Sequence, residues 1–299
     1  MTSTLRYSPH LFAVAAFLLF AAMNASIKIL GGTVPLTLIM TVRFLVGFWI
    51  VCWMVKRTGA TLEETLKTKK LGGHIARAAM GIVAVGCAFY ILPLIPLGDA
   101  NALGQFYPFF LLLLSVPILK EQVKPKQYLA CILGFIGVVL IASPHGQAGL
   151  IPALLAMLSA FAAAVSDIVV RYLARTDKSL TIVLWFFLLS GLTMFAIWMG
   201  TAGHTNLSWG QALYLLLAGI FGGLAQLALT EAFKHLSAGV MGPYSYLGFF
   251  FSVVLGWLFF SETPTIAMLG GALVIITAAQ WNYAISKGPK KADIQVELT

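Results

Sequence analysis

The chain has 299 residues, of which 60% are hydrophobic and only 10% charged, and its mean hydropathy is +0.93. A water-soluble domain of ordinary composition is far less apolar, so a soluble fold is excluded. The formal net charge of +9 lies between the apolar runs, where it suits anionic lipid headgroups, and no nucleic-acid partner is expected.

About 20 apolar residues cross a hydrocarbon core about 30 Å thick, and on that length the chain divides into ten spans. Span one, 10–29, carries Asn24 and Lys28, four apart and therefore on one helix face. Asn24 is a candidate substrate contact, and Lys28 reads as an interfacial anchor. The same run has small residues at Ala22 to Ser26 that resemble a signal-peptide cleavage region. Cleavage there would invert the charge pattern of every later loop, so the run is read as a retained span.

Span two, 36–55, contains Arg43, roughly 10 Å below its outer end at 1.5 Å per residue. An ionisable group at that depth either faces a cavity, where it holds a carboxylate or phosphate, or snorkels to a polar partner. Span three is 73–92. Span four, 98–119, gathers Asp99, Asn101, Gln105 and Tyr107 toward its outer half, where Pro108 frees a backbone carbonyl. Asn101, Gln105 and Tyr107 are the leading substrate contacts of the first half, and Asp99 is a coupling candidate. Glu121 follows as a helix cap or gate.

Span five is 126–143 and span six 149–170. In span six Asp167 and Arg171 stand four apart, which predicts an ion pair, with proton coupling through Asp167 as the functional alternative. Ala156, Ala160 and Ala164 form a small-residue stripe suited to close helix packing. Spans seven and eight are 180–199 and 209–230, with Gln226 and Glu231 as weaker candidates. Span nine, 238–260, places Tyr244 and Tyr246 beside Pro243, as cavity residues or as interfacial anchors, and ends at Glu262, a second gate candidate. Span ten is 265–285, and residues 286–299 are expected to form a cytoplasmic tail.

Alternate loops of ten spans face the same compartment, which makes the cation distribution diagnostic. With Arg6 inside, one set of loops receives the Lys and Arg of 56–70, 120–126, 171–178, Lys234 and 287–291, and the other set receives none. Lys28, Arg43 and Arg77 remain within or at the ends of spans. Both termini are therefore expected in the cytoplasm. Cys52, Cys87 and Cys131 fall singly inside spans and the five histidines lack ligand spacing, so no disulfide, metal or cofactor is expected. No GxxxxGK[ST] phosphate loop is present either, which argues against an ATP-driven pump.

The two halves match at an offset of about 141 residues: the stretch from Pro96 to Glu121 aligns with that from Ser237 to Glu262. Five spans per half put the copies, 10–143 and 149–285, in opposite orientations across the membrane. Inverted repeats place a substrate site at their interface near the midplane.

In this order and spacing, the chain resembles the ten-helix EamA branch of the drug/metabolite transporter superfamily. The resemblance rests on Arg77 before a Gly/Ala-rich span, Pro96-Leu-Gly-Asp-Ala-Asn-Ala leading to Tyr107-Pro108, Glu121, and Gly134-Phe-Ile-Gly137. In the second half it rests on Pro243-Tyr-Ser-Tyr246, Leu255-Gly-Trp-Leu-Phe-Phe-Ser-Glu262 and Gly270-Gly271. It implies an all-α membrane protein of ten helices in two inverted repeats, working as a monomer among membrane lipids in the cytoplasmic (inner) membrane. The implied activity is secondary transport of a small organic metabolite, foremost export of amino-acid-like compounds. Uptake or exchange of a vitamin or nucleoside-type metabolite, such as riboflavin or S-adenosylmethionine, fits as well. A non-transporting receptor or scaffold is the rival from another class, and a membrane enzyme lacks the clustered catalytic residues it would need.

Overall fold

A computed structural model describes residues 8–30, 32–91, 104–121, 123–142, 150–201, 206–260 and 266–286. The described residues are helical throughout their long elements, as lipid demands: backbone N–H and C=O groups find no water in a bilayer core and must pair within their own segment. In chain order the helices are α1 (Pro9–Leu30), α2 (Leu36–Arg57), α3 (Leu62–Leu66), α4 (Leu71–Ile91) and α5 (Tyr107–Leu114), which runs on as a π-helical turn (Ser115–Leu119). They continue as α6 (Pro125–Ala142), α7 (Leu150–Leu173), α8 (Ser179–Thr201), α9 (Trp209–His235), α10 (Ala238–Tyr244), α11 (Tyr246–Phe260) and α12 (Ile266–Ser286).

Among the described residues seven stretches are long and apolar enough to cross a membrane, with shorter apolar helices at Tyr107–Leu119 and Leu273–Ile285. Their outward faces are apolar: Trp49, Ile151, Leu258, Phe259 and Leu273 are exposed, whereas Arg43, His74 and Arg77 are buried. That inversion suits a lipid solvent. The protein is a multi-pass membrane protein.

Helix ends follow local chemistry. Thr61 and Glu64 close a capping box on α3, and Ser208 and Gln211 close another on α9. Two expected spans are not single helices. In span four Gly104 is helical and Gln105–Phe106 form a turn; Phe106 is the N-cap of α5 and Pro108 occupies its first turn, where its missing N–H costs nothing. Span nine is divided at Ser245, where Ser245 N–H bonds the Gly242 carbonyl and Gly248 N–H bonds the Ser245 carbonyl, two tight turns just beyond Pro243.

The helices pack in pairs: α1 along α9, α4 along α7, α2 along α8 and α6 along α12. Secondary contacts join α2 to α9, α4 to α8, α1 to α11, α5 to α7 and α5 to α10. One apolar core gathers Leu112, Phe233 and Tyr246, and a second gathers Phe44, Phe186 and Phe187.

Glycines let these seams close. A Cβ on Gly137 of α6 would stand 2.8 Å from the Gly271 carbonyl oxygen of α12 and 2.8 Å from Ile275 Cγ1. Backbone cannot swing aside, so Gly137→Ala must separate α6 from α12. We expect it to destabilise the protein by about 2 kcal/mol, read as a lower midpoint of unfolding in detergent, whereas Gly270→Ala, which meets open space, leaves the midpoint in place.

Candidate functional site

A cavity of about 300 Å³ opens at the centre of the bundle, at the small end of the range for ligand pockets. Each half of the chain contributes four walls: α1, α2, α4 and the start of α5 from the first, and α7, α8, α9 and α11 from the second. Much of the surface is apolar, with Phe20, Phe89, Phe186 and Phe249 among the walls.

Several of its polar groups are placed by identifiable contacts. Arg43 is 2% exposed, and its guanidinium carbon lies 5.3 Å from the Phe44 ring centre and 5.8 Å from that of Phe89. Gly222 of α9 makes room for it, since a Cβ there would come within 3.0 Å of Arg43 Nε. Nε and Nη1 of Arg43 are buried with no hydrogen-bond partner, and among the described residues no carboxylate pairs with the group.

Asp167 accepts a 2.7 Å hydrogen bond on Oδ2 from the Tyr107 hydroxyl, which joins α7 to the start of α5. The neighbouring Arg77 turns elsewhere. Its Nη1 donates to the Ile182 carbonyl at 2.5 Å, and its Nη2 donates to Gln226 Oε1 at 3.1 Å and Thr230 Oγ1 at 3.4 Å, with Phe186 beneath its guanidinium carbon at 4.5 Å. Ser166 and Ser159 of α7 donate to the carbonyls of Arg77 and Ala84 of α4, which fixes the register of those two helices.

Of the residues singled out from the sequence, Asn24, Arg43, Gln105, Tyr107, Asp167 and Gln226 line this one cavity. Asp99, Asn101 and Glu262 lie outside the described residues. Tyr244 and Tyr246 lie outside the cavity wall. The Tyr246 ring packs over Gly134 and its hydroxyl meets Cys131 Sγ at 3.5 Å, while Tyr244 bonds His10 Nδ1 at 3.0 Å. The expected Asp167–Arg171 pair does not form. Arg171 Nε instead donates to Glu121 Oε1 at 2.9 Å, because the two residues close the same Lys/Arg-rich end of the bundle. Ser159, Ser166 and the phenylalanine walls were not singled out; isolated hydroxyls and aromatics in an apolar helix give no local signal that they face a cavity.

That end is tied across the two halves. Glu121 Oε2 accepts from Ala238 N–H at 2.9 Å, and Arg171 Nη1 donates to the Phe233 and Lys234 carbonyls at 2.8 and 3.0 Å. Beside it, in the loop after α7, Asp177 bonds Thr68 Oγ1 at 2.7 Å and His74 Nε2 at 2.8 Å. Burial pushes the Asp177 carboxyl up, but its bonds with Thr68, His74 and Thr176 outweigh that and hold it below its ordinary value.

A family profile described as "EamA-like transporter family" matches this chain twice, over residues 8–143 and 150–283. The chain belongs to that family. The pseudopaline exporter of Pseudomonas aeruginosa is 30% identical over 90% of this chain and 93% of its own length. A riboflavin transporter of Brucella anthropi is 29% identical over 89% and 95%, and an S-adenosylmethionine uptake transporter of Rickettsia felis 26% over 72% and 73%. A solved crystal structure superposes with a TM-score of 0.80 at 19% identity, covering 93% of this chain and 97% of that one, and shows the same fold. This EamA-like chain is thus a transporter of a small metabolite, and the central cavity is its candidate substrate site.

Proposed function

We propose that the chain is a secondary transporter that exports an amino-acid-like or related small metabolite across the cytoplasmic membrane by alternating access. In this reading residues 10–143 and 149–285 are two inverted five-helix repeats, the ten spans leave both termini in the cytoplasm, and the Lys/Arg-rich end faces inward. A single cavity built from both halves carries the proposal, since a site shared between two packing units is exposed to either side as one unit rocks against the other.

The helix pairing supports the inverted repeat. Exchanging α1, α2, α4, α5 and α6 with α7, α8, α9, α10–α11 and α12 turns the α1–α9 contact into α4–α7, α2–α9 into α4–α8, and α1–α11 into α5–α7. The same exchange leaves α2–α8, α6–α12 and α5–α10 on themselves. The twofold matching of the family profile supports it too. Asn24, Gln105 and Tyr107 are the neutral substrate contacts, and Asp167 is the coupling group. Two of the relatives named above are a riboflavin transporter and an uptake carrier, so uptake is the second reading for direction.

The deciding experiment reconstitutes the protein in liposomes, screens a metabolite library by thermal shift, and measures counterflow of each hit. Accumulation above empty liposomes, abolished by Gln105→Ala together with Tyr107→Phe, is expected. A reconstituted, folded protein that moves none of its hits would overturn the transport reading. Flux indifferent to an imposed pH gradient removes coupling through Asp167 and leaves exchange or facilitated diffusion.

A further inference from the structure

The cavity holds two opposite charges, and among the described residues neither makes a direct salt bridge. Arg43 has two buried, unpartnered nitrogens, and Asp167 is bonded only by the neutral Tyr107 hydroxyl. Arg77 attracts the Asp167 carboxylate across the α4–α7 seam but gives it no hydrogen bond: its Nη1 and Nη2 donate to Ile182, Gln226 and Thr230, and its buried Nε has no partner. A buried charge without a hydrogen-bonded counter-ion is costly in a bilayer, and the cost falls when a ligand of opposite sign completes it.

The two charges also lie at different depths. The Arg43 guanidinium sits against Phe89 of α4, whereas Asp167 directly follows Ser166, whose hydroxyl bonds the Arg77 carbonyl of the same helix. Phe89 and Arg77 are 89 − 77 = 12 residues apart on α4. At 1.5 Å per residue, less the inward reach of the Arg43 and Phe89 side chains, the charges are separated by on the order of 10 Å. Between Arg77 and Phe89 the cavity wall on α4 is small and apolar, Gly81, Ala84, Val85 and Ala88, and Phe186 faces the same cavity.

We propose that the cavity recognises an elongated dipolar metabolite: a carboxylate or phosphate at Arg43, an ammonium or other cationic group at Asp167, and an apolar body on the order of 10 Å long between them. Arg43 supplies two N–H groups to the anion as charge-assisted hydrogen bonds. Asp167 accepts from the cationic end while Tyr107 holds its other oxygen. The alanine, valine and phenylalanine walls bury the body. A compact α-amino acid, with both charges on one carbon, reaches only one end.

The inference rests on the transport reading, and the test separates the two. The probes are ω-amino acids from 4-aminobutanoate to 12-aminododecanoate, with octanoate and octylamine as singly charged controls. Binding to the purified full-length protein is measured by calorimetry. Affinity is expected to peak near 8-aminooctanoate and to fall by about tenfold or more for 4-aminobutanoate and for each control. Arg43→Gln should erase the preference for 8-aminooctanoate over octylamine, and Arg43→Lys should keep part of it. The ladder in the wild-type protein decides the matter even where a variant fails to fold. A flat length dependence, controls that bind as well as the dipolar probes, or a silent ladder overturns the dipolar site. Counterflow of a neutral or singly charged metabolite beside a silent ladder leaves transport standing; absence of any counterflow removes both.

Discussion

Replacing Arg77 by methionine is expected to destabilise the protein by about 3 kcal/mol, since three hydrogen bonds are lost at roughly 1 kcal/mol each. Arg77 is 1% exposed and ties α4 to α8 through the Ile182 carbonyl and to α9 through Gln226 and Thr230. Methionine matches much of its length but donates nothing, so the Gln226 and Thr230 oxygens lose a donor in a place where water cannot replace it. It also removes the cation held over Phe186. Lysine keeps the charge but not the planar fork that reaches three acceptors on two helices, so Arg77→Lys should fall between wild type and methionine. The unfolding midpoint in detergent micelles measures this; a methionine variant that melts with the wild type would show that Arg77 is no anchor. Gln226 lines the cavity, so its release should impair flux even in protein that stays folded.

The membrane helices were legible because lipid imposes one rule on every span. Predicted spans such as 36–55, 126–143 and 265–285 fall within two residues of α2, α6 and α12 at each end. The departures occur where a rule local to the sequence gives way to packing. Pro108 reads as freeing a carbonyl inside a continuous span, yet a turn at Gln105–Phe106 puts it in the first turn of α5. Tyr246 reads as a cavity residue from its place beside Pro243, yet the absence of a side chain at Gly134 lets its ring pack there, fully buried.

The site shows the same division. Depth along a helix can be counted, which is why Arg43 and Gln105 were found. Direction around the axis and partners far along the chain cannot be counted that way. Arg171 and Asp167 satisfy the four-residue rule for an ion pair, but Glu121, 50 residues away in sequence, takes Arg171 and leaves Asp167 to Tyr107 and the cavity. Asp167 is therefore left facing the cavity by a contact that no local pattern contains.

That contact also sets the second large effect. Glu121 reaches across the halves to Arg171 Nε and to the Ala238 N–H, and Arg171 continues to the carbonyls of Phe233 and Lys234. If the Lys/Arg-rich end is the cytoplasmic gate, these bonds must break each time it opens, so their strength sets the population of the closed state. Glu121→Gln keeps the shape and the bond to Ala238 but removes the ionic partner of Arg171. Hydrogen bonds to charged groups contribute roughly 1.5–3 kcal/mol, so the variant should shift the balance toward the cytoplasm-open state by about tenfold or more. The readout is a cysteine at Ser166 in a background lacking Cys52, Cys87 and Cys131, labelled by an impermeant thiol reagent added from the Lys/Arg-rich side. Faster labelling in Glu121→Gln, with slower labelling from the opposite side, is the expected pair of results. Equal rates from both sides in variant and parent would mean that the pair only staples helices together. A drop in melting temperature without any change in labelling would mean the same, and the gate would then have to lie at the neighbouring His74–Asp177–Thr68 contact.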